Sequence, residues 1–192
     1  MYLAQGRYGD AAQRFQDALK IRPSSSLYSN LGTVLFAQGL YGPSATAFER
    51  ALAMGGGAHD YRRWANLADA YRQLPDAAAK AREHYDHAIG VIDAELAQSP
   101  RDPTLRSRRA LYLAKRGDCP GADAGLASLA DARDPPLYAL FRMAVTLEIC
   151  GHRQRAIAML ERALARGFSP AEVEIDPDLR ALRADPAYLK KR

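Results

Sequence analysis

The sequence predicts an all-α fold in which pairs of helices stack side by side into a solenoid. A stretch at residues 6–19, GRYGDAAQRFQDAL, returns at residues 39–52 as GLYGPSATAFERAL. A large residue recurs in steps of 33, 37, 41 and 34 residues, at Phe15, Phe48, Tyr85, Leu126 and Leu160. A small residue lies four positions before each, and Ala or Leu lies three positions after, so every set forms one helical stripe. Repeats of this length are typical of stacked helix pairs.

A second helical pattern precedes three of these stripes. The segments YSNLGTVLFAQG at 28–39, WANLADAY at 64–71 and LFRMAVTLEICG at 140–151 carry apolar or small residues in the same register. In three units a glycine separates the two helical patterns, at Gly39, Gly117 and Gly151. Glycine favours the left-handed turn that ends many helices, so we expect a tight turn at each.

These residues resemble the tetratricopeptide repeat (TPR), a helix–turn–helix unit of about 34 residues with the pattern W-x2-L-G-x2-Y, A-x3-F and a late Pro. WANLADAY and YSNLGTVL match its first helix, and AAQRFQDALKIRP matches its second. The resemblance covers residues 2–168. It implies one domain, a right-handed α-solenoid of about four and a half repeats: a truncated repeat 1–24, repeats 25–58, 59–102, 103–136 and 137–168, and capping helices in 169–192.

Three local features modify this pattern. Extra length at residues 88–100 predicts a third-unit second helix about two turns longer than its neighbours. The glycines at 55–57 predict a flexible join. Asp176 and Asp185, each followed by Pro, predict the starts of two short capping helices. Those helices would cover the last repeat with four apolar side chains, Leu179, Leu182, Tyr188 and Leu189.

The start and end of the sequence suggest a larger protein. Aligned on the other repeats, Met1 falls inside a first helix, so we interpret the chain as a fragment or as a start placed too late. The ending DPDLRALRADPAY resembles C-terminal modules of large bacterial signalling proteins. Eukaryotic-type serine/threonine kinases and transcriptional regulators are examples of that class.

Composition is that of an ordinary globular protein, with 48% hydrophobic residues and a net charge of +5. No apolar run reaches the roughly 18 residues of a membrane span, and no secretory signal precedes the repeats. Two cysteines do not make a disulfide framework. We interpret Cys119 and Cys150 as unpaired core thiols of a cytoplasmic protein, with a redox pair as the alternative.

No catalytic motif is present. The sequence lacks a phosphate-binding Gly-rich loop, a G-x-S-x-G elbow and an H-E-x-x-H helix. His84 and His87 are three residues apart and could face one metal ion, but the third ligand that such a site needs is missing. We therefore predict a protein that is not an enzyme and that needs no cofactor or metal.

The TPR resemblance implies that the first helix of each repeat lines a concave groove. The predicted groove residues are Asn30, Thr33, Phe36, Arg62, Asn66, Asp69, Arg72, Arg108, Lys115, Phe141 and Arg142. Asn66 and Arg108 match two positions of the clamp with which some TPR proteins bind a C-terminal carboxylate. Ser29, Thr33 and Thr104 depart from it, so the match is partial. Asn30 and Asn66 are alternatively ordinary scaffold residues of the repeat.

The first helix of the fourth repeat is strongly basic. It carries Arg106, Arg108, Arg109, Lys115 and Arg116, with no acidic residue from 104 to 117. This is either a solvated face or a docking stripe for an acidic peptide. Nucleic acid is disfavoured, because no aromatic residues alternate with the basic ones to stack on bases.

These features together predict a scaffold that binds a peptide or protein. The alternatives are a regulatory tail of a signalling enzyme or transcriptional regulator, and a module for self-association into a homo-oligomer.

Overall fold

The computed structural model describes residues 8–55, 59–129 and 134–189. Within these residues the chain is helical and has no strand. The longer helices are α1 Tyr8–Ile21, α2 Ser25–Ala37, α3 Tyr41–Ala53, α4 Tyr61–Arg72, α5 Ala78–Gln98, α6 Pro103–Arg116, α7 Cys119–Ala127, α8 Leu137–Ile149 and α9 Arg153–Ala165. Short elements follow: α10 Pro170–Ile175, a 3₁₀ turn Pro177–Leu179, α11 Arg180–Arg183 and α12 Pro186–Leu189. The predicted all-α class is confirmed.

The chain divides into two compact units, Met1–Val91 and Ile92–Arg192, with the boundary inside α5. In the first unit α2 packs against α1 and α3, and α3 packs against α4. In the second unit α6 packs against α7 and α8, and α8 packs against α9. The boundaries predicted for individual repeats, and the prediction of one domain, stay predictions. No helix of the described ranges has the length and apolar character needed to cross a bilayer.

The core of the first unit forms where small residues let helices approach closely. Gly32 on α2 lies directly against the Phe48 ring on α3. The buried Ser44 hydroxyl donates a hydrogen bond to the Gly32 carbonyl at 2.8 Å, which joins the same two helices. Tyr85 on α5 is fully buried. Ala81, four residues before it, and Ala88, three residues after it, belong to the same stripe and are also buried. The predicted stripes therefore face the core.

The second unit contains the clearest correction to the sequence interpretation. Cys119, at the start of α7, and Cys150, at the end of α8, form a disulfide with a Cα–Cα distance of 5.5 Å. The prediction of unpaired thiols was wrong, because α7 and α8 bring together two cysteines that are 31 residues apart in sequence. The expectation of a cytoplasmic protein used reduced thiols as support, and the disulfide removes that support.

The predicted turns and capping elements are present. Gly39, Gly117 and Gly151 have φ values of 76°, 100° and 79°, the left-handed conformation expected at the ends of helices. Helix α5 has 21 residues against 13 in α3, which confirms the longer helix. Of the predicted glycine join, residues 56 and 57 lie outside the described residues.

The capping segment follows its sequence signals. The carboxylate of Asp176 accepts a hydrogen bond from the Asp178 backbone N–H, and that of Asp185 accepts one from the Ala187 N–H, each at 2.8 Å. Three of the predicted apolar side chains are buried, at Leu179, Leu182 and Tyr188. The Leu189 side chain lies outside the described part. These short elements bury apolar side chains at the end of the second unit, as a terminal cap must.

Candidate functional site

The predicted groove residues of the first unit lie on α2 and α4, which contact each other. Asn30 on α2 is exposed, and Asn66 on α4 is partly exposed. Both occupy the same repeat position, two residues after the aromatic that opens the repeat pattern, Tyr28 or Trp64. Neither side-chain amide makes a hydrogen bond to another described residue, so both amides are available to an external partner.

Three other predicted residues of this unit contact neighbouring side chains. The Asp69 carboxylate accepts a hydrogen bond of 2.5 Å from the Tyr85 hydroxyl. The exposed Arg62 guanidinium lies 5.1 Å from the centre of the Tyr61 ring. The Phe36 ring packs edge-on against Tyr41, with centroids 5.2 Å apart. These contacts orient the side chains along α2 and α4 before any partner binds.

The two remaining predicted residues of this unit, Thr33 and Arg72, are at least partly exposed. The exposed Thr33 hydroxyl donates to the Ser29 carbonyl of its own helix at 3.0 Å. Arg72 is partly exposed at the end of α4. Both side chains are therefore at least partly accessible to solvent.

A stack of aromatic and imidazole rings joins α4 to α5, and sequence reasoning missed it. Trp64 stacks on His87 with centroids 4.6 Å apart, and Tyr71 stacks on His84 at 5.5 Å. Burial lowers the pKa of His84. Burial, with the hydrogen bond that the Tyr71 hydroxyl donates to Glu49, raises the pKa of Tyr71 to about 12. These ring contacts could not be predicted from sequence spacing, because they depend on how α4 and α5 pack against each other.

No described residue joins the two histidines as a third metal ligand. Among the described residues no group of three or more His, Cys, Asp or Glu side chains could hold a metal ion. His84 and His87 are instead packed against aromatic rings, and their centroids lie 6.4 Å apart.

In the second unit, acidic side chains of the same unit pair with much of the basic stripe on α6. Lys115 lies 3.4 Å from Asp178 in a largely buried ion pair. Arg109 contacts Asp93 at 2.5 Å, and Arg116 lies 3.2 Å from Asp118. Arg108 is partly exposed. The acids that neutralise the stripe come from α5, from the turn after α6 and from the capping segment, so the helix sequence alone did not reveal them.

The two predicted groove residues of α8 differ in environment. Phe141 is partly exposed and stacks on Phe168, with ring centroids 4.2 Å apart. Arg142 is buried, and its Nε donates to the Ser107 hydroxyl on α6 at 3.1 Å. Arg142 therefore holds α8 to α6, and a contact between Arg142 and a partner stays a prediction. Phe141 presents part of its ring to solvent.

Comparison with known proteins identifies the fold. TTC0263, a thermophilic TPR protein of Thermus thermophilus, superposes with a TM-score of 0.61 and 23% identity over 92% of this chain and 93% of that one. The fold is that of the tetratricopeptide repeat. The nearly identical TPR-like repeats of a putative kinesin light chain from Podosopora anserina give a TM-score of 0.57 at 17% identity, over 85% of this chain and 89% of that one.

MamA is a third solved structure with this fold. It superposes with a TM-score of 0.50 and 15% identity over 85% of this chain and 91% of that one. No protein-family model matches the sequence, and a search of curated protein sequences gave no match. The TPR assignment made from the repeat pattern is confirmed at the level of the fold, whereas the resemblance to bacterial signalling modules stays a prediction.

Proposed function

We propose that this protein is a non-enzymatic interaction scaffold that binds a peptide or an extended segment of a partner protein. The observation that carries the proposal is the pair of accessible amides, Asn30 on α2 and Asn66 on α4, at equivalent positions of neighbouring helices. An amide offers one acceptor and two donors, which match the N–H and C=O groups of an extended backbone. Their lack of described internal hydrogen bonds argues against a purely scaffolding role.

Charge sets the orientation of the bound segment in this proposal. Arg62 is exposed one helical turn before Asn66 and can contact an acidic side chain through its planar guanidinium. Phe36 adds a partly exposed apolar side chain on α2. In the second unit, the accessible candidates on α6 and α8 are Arg108 and Phe141. We expect a partner with an acidic residue near an apolar one, although the free C-terminus of the clamp analogy is not required.

The test begins with peptides selected from a random display library on the purified chain, because the natural partner is not known. Affinities of the selected peptides are then measured for wild type, for Asn30→Ala with Asn66→Ala, and for Arg62→Glu. We expect each change to weaken binding by about tenfold, as for the loss of one or two good hydrogen bonds. Arg82→Glu, which makes the same charge change on the exposed part of α5, is the matched control and leaves affinity unchanged.

Two results would contradict the proposal: no enriched peptide, or enriched peptides that bind the Asn30 and Asn66 variant as tightly as wild type. Circular dichroism of each variant confirms that the helices are retained. We expect the helices to be retained, because surface substitutions usually change the free energy of unfolding by only about 0.5 kcal/mol.

Self-association is the second candidate function, and one feature favours it. Ile21, the last residue of α1, is 87% exposed, and a second copy of the chain could cover it. Sedimentation equilibrium of wild type and Ile21→Lys tests it: a homo-oligomer that the substitution dissociates supports this role, and a concentration-independent monomer excludes it. The role of regulatory tail stays a prediction.

A further inference from the structure

Helix α7 is one turn shorter than its counterparts, and a cavity lies beside its end. It has 9 residues, whereas the equivalent second helices α3 and α9 have 13. Four residues correspond to about 6 Å of helix. The disulfide and a 2.9 Å contact between Asp123 and His152 fix the first half of α7 to its neighbours. The cavity lies beyond the other end and has a volume of about 480 Å³.

The described walls of this cavity are mostly apolar. Five side chains from α7, α8, α9 and the chain after α7 form most of them, Leu126, Leu129, Met143, Leu147 and Met159. A volume of this size falls in the range of small-molecule sites, which are mostly apolar with a few polar groups. The two methionines are unbranched and flexible, so they can adapt to a chain-like ligand.

The only charged groups among the described lining residues are two arginines. Arg155 and Arg162 lie two turns apart on α9, and both are exposed. Neither forms an ion pair or hydrogen bond with a described residue. Arg166, one turn further along, differs because its guanidinium contacts Asp134 at 2.9 Å and the Pro135 carbonyl at 2.7 Å. Among the described residues, the cavity thus combines an apolar interior with two rim arginines that pair with no acidic side chain.

We propose that this cavity binds an alkanoate, a single unbranched alkyl chain that ends in one carboxylate. The chain lies against Met143 and Met159, and the carboxylate pairs with the guanidinium of Arg155 or Arg162. A buried apolar chain needs no hydrogen bonds, whereas an extended peptide in the same place would lose those of its amides to water, which is costly.

The spacing of the arginines favours a carboxylate over a phosphate. Seven residues of helix separate them by about 10 Å, so one head group meets one guanidinium at a time. A single guanidinium fork matches the two oxygens of a carboxylate, whereas a phosphate dianion is best served by several converging donors. This site shares no residue with the proposed peptide-binding faces, so each proposal can fail without the other.

The test is a titration of the full chain, labelled with ¹³C at its methionine methyl groups, with sodium decanoate. The chain has four methionines, and Met54, in the first unit, serves as the internal reference. We expect saturable shifts of the Met143 and Met159 methyl signals and none at Met54. Acetate, which lacks the chain, and decyltrimethylammonium, which carries the opposite charge, should bind at least tenfold more weakly.

Variants test the two halves of the site separately. Arg155→Glu with Arg162→Glu should weaken decanoate binding at least tenfold, the loss of one charge-assisted contact, and Arg82→Glu should leave it unchanged. Ala158→Phe places a ring at the rim and should abolish the shifts while both arginines remain. Parallel shifts at Met54, equal binding of decyltrimethylammonium, or full binding by either cavity variant would overturn the proposal.

Discussion

The ring of Phe48 occupies the space that a side chain at residue 32 would need. A β-carbon added to Gly32 would lie 2.7 Å from two carbons of the Phe48 ring, closer than real β-carbons approach any atom. Gly32 is buried on α2, and Phe48 is almost fully buried on α3. The glycine of the repeat pattern therefore sets how closely the two helices of a pair can pack.

Gly32→Ala should destabilise the protein. Overpacking of this kind costs about 1–3 kcal/mol, and the better helix propensity of alanine returns only about 1 kcal/mol. We expect a net loss of about 1 kcal/mol in the free energy of unfolding, measured by urea titration. Phe48→Leu makes room for the new methyl group. Gly32→Ala should therefore lower the free energy of unfolding less in the Phe48→Leu background than in wild type.

Gly90→Ala is the matched control for this experiment. Gly90 is also inside a helix, α5, but a β-carbon there would meet no atom within 4 Å. The same substitution should then stabilise the protein by about 0.5–1 kcal/mol through helix propensity alone. If the two alanine variants were equally stable, the close contact with Phe48 would have no energetic consequence.

The helices and their buried faces could be predicted because they depend on local sequence. The period of about 3.6 residues fixes which side chains share a stripe, and the glycines after the first helices fix where those helices end. Leu160 and Phe48, found from the repeat alone, are both almost fully buried. Such features need only neighbouring residues, so one sequence contains enough information.

The partners of individual polar side chains could not be predicted, because they come from distant parts of the chain. Arg142 is a predicted groove residue, and its hydrogen-bond acceptor Ser107 is 35 residues earlier in the chain. Lys115 is another, and it pairs with Asp178 of the capping segment. The cavity beside α7 could not be predicted for a different reason. The short length of α7 becomes evident only when the observed bounds of the equivalent helices are compared.

Ser107→Ala should destabilise the second unit through Arg142. The buried guanidinium would lose a hydrogen-bond acceptor that water cannot easily replace, at a cost of about 1.5–3 kcal/mol. Urea unfolding followed by circular dichroism measures the change. Ser26→Ala, at an exposed position of α2, is the control and should change stability by less than about 0.5 kcal/mol. Equal effects of the two changes would contradict a structural role for the Arg142 contact.

Loss of the disulfide should destabilise the second unit. A bridge between residues 31 positions apart lowers the conformational entropy of the unfolded chain. In the chain-entropy model this raises the free energy of the unfolded state by about 3–4 kcal/mol. We expect Cys119→Ser with Cys150→Ser, or reduction of wild type, to lower the free energy of unfolding by up to that amount. Mass spectrometry after iodoacetamide treatment gives the control: without reductant, neither cysteine of the folded protein should be alkylated. Alkylation of both would contradict the disulfide.

Acidification should weaken the packing of α4 on α5 through His84. Burial is the main cause of its lowered pKa; the charges of Lys80 and His87 add to it, and those of Glu83 and Glu49 oppose it. Below the ordinary histidine pKa of about 6.5, the unfolded chain takes up a proton that the folded chain resists. Stability from this group is therefore complete above about pH 6.5 and is lost as the pH falls through the folded pKa.

Trp64 allows this loss to be measured, because it is the only tryptophan and its ring stacks on both histidines. Urea unfolding followed by its fluorescence at about pH 7.5 and about pH 5 should show lower stability in acid. His84→Gln removes the titrating group, so the decrease should be smaller than in wild type, whereas His59→Gln, at an exposed position outside the stack, should keep the wild-type decrease. An unchanged pH dependence in His84→Gln would show that His84 stays neutral or charged equally in both states, against the burial that the structure gives it.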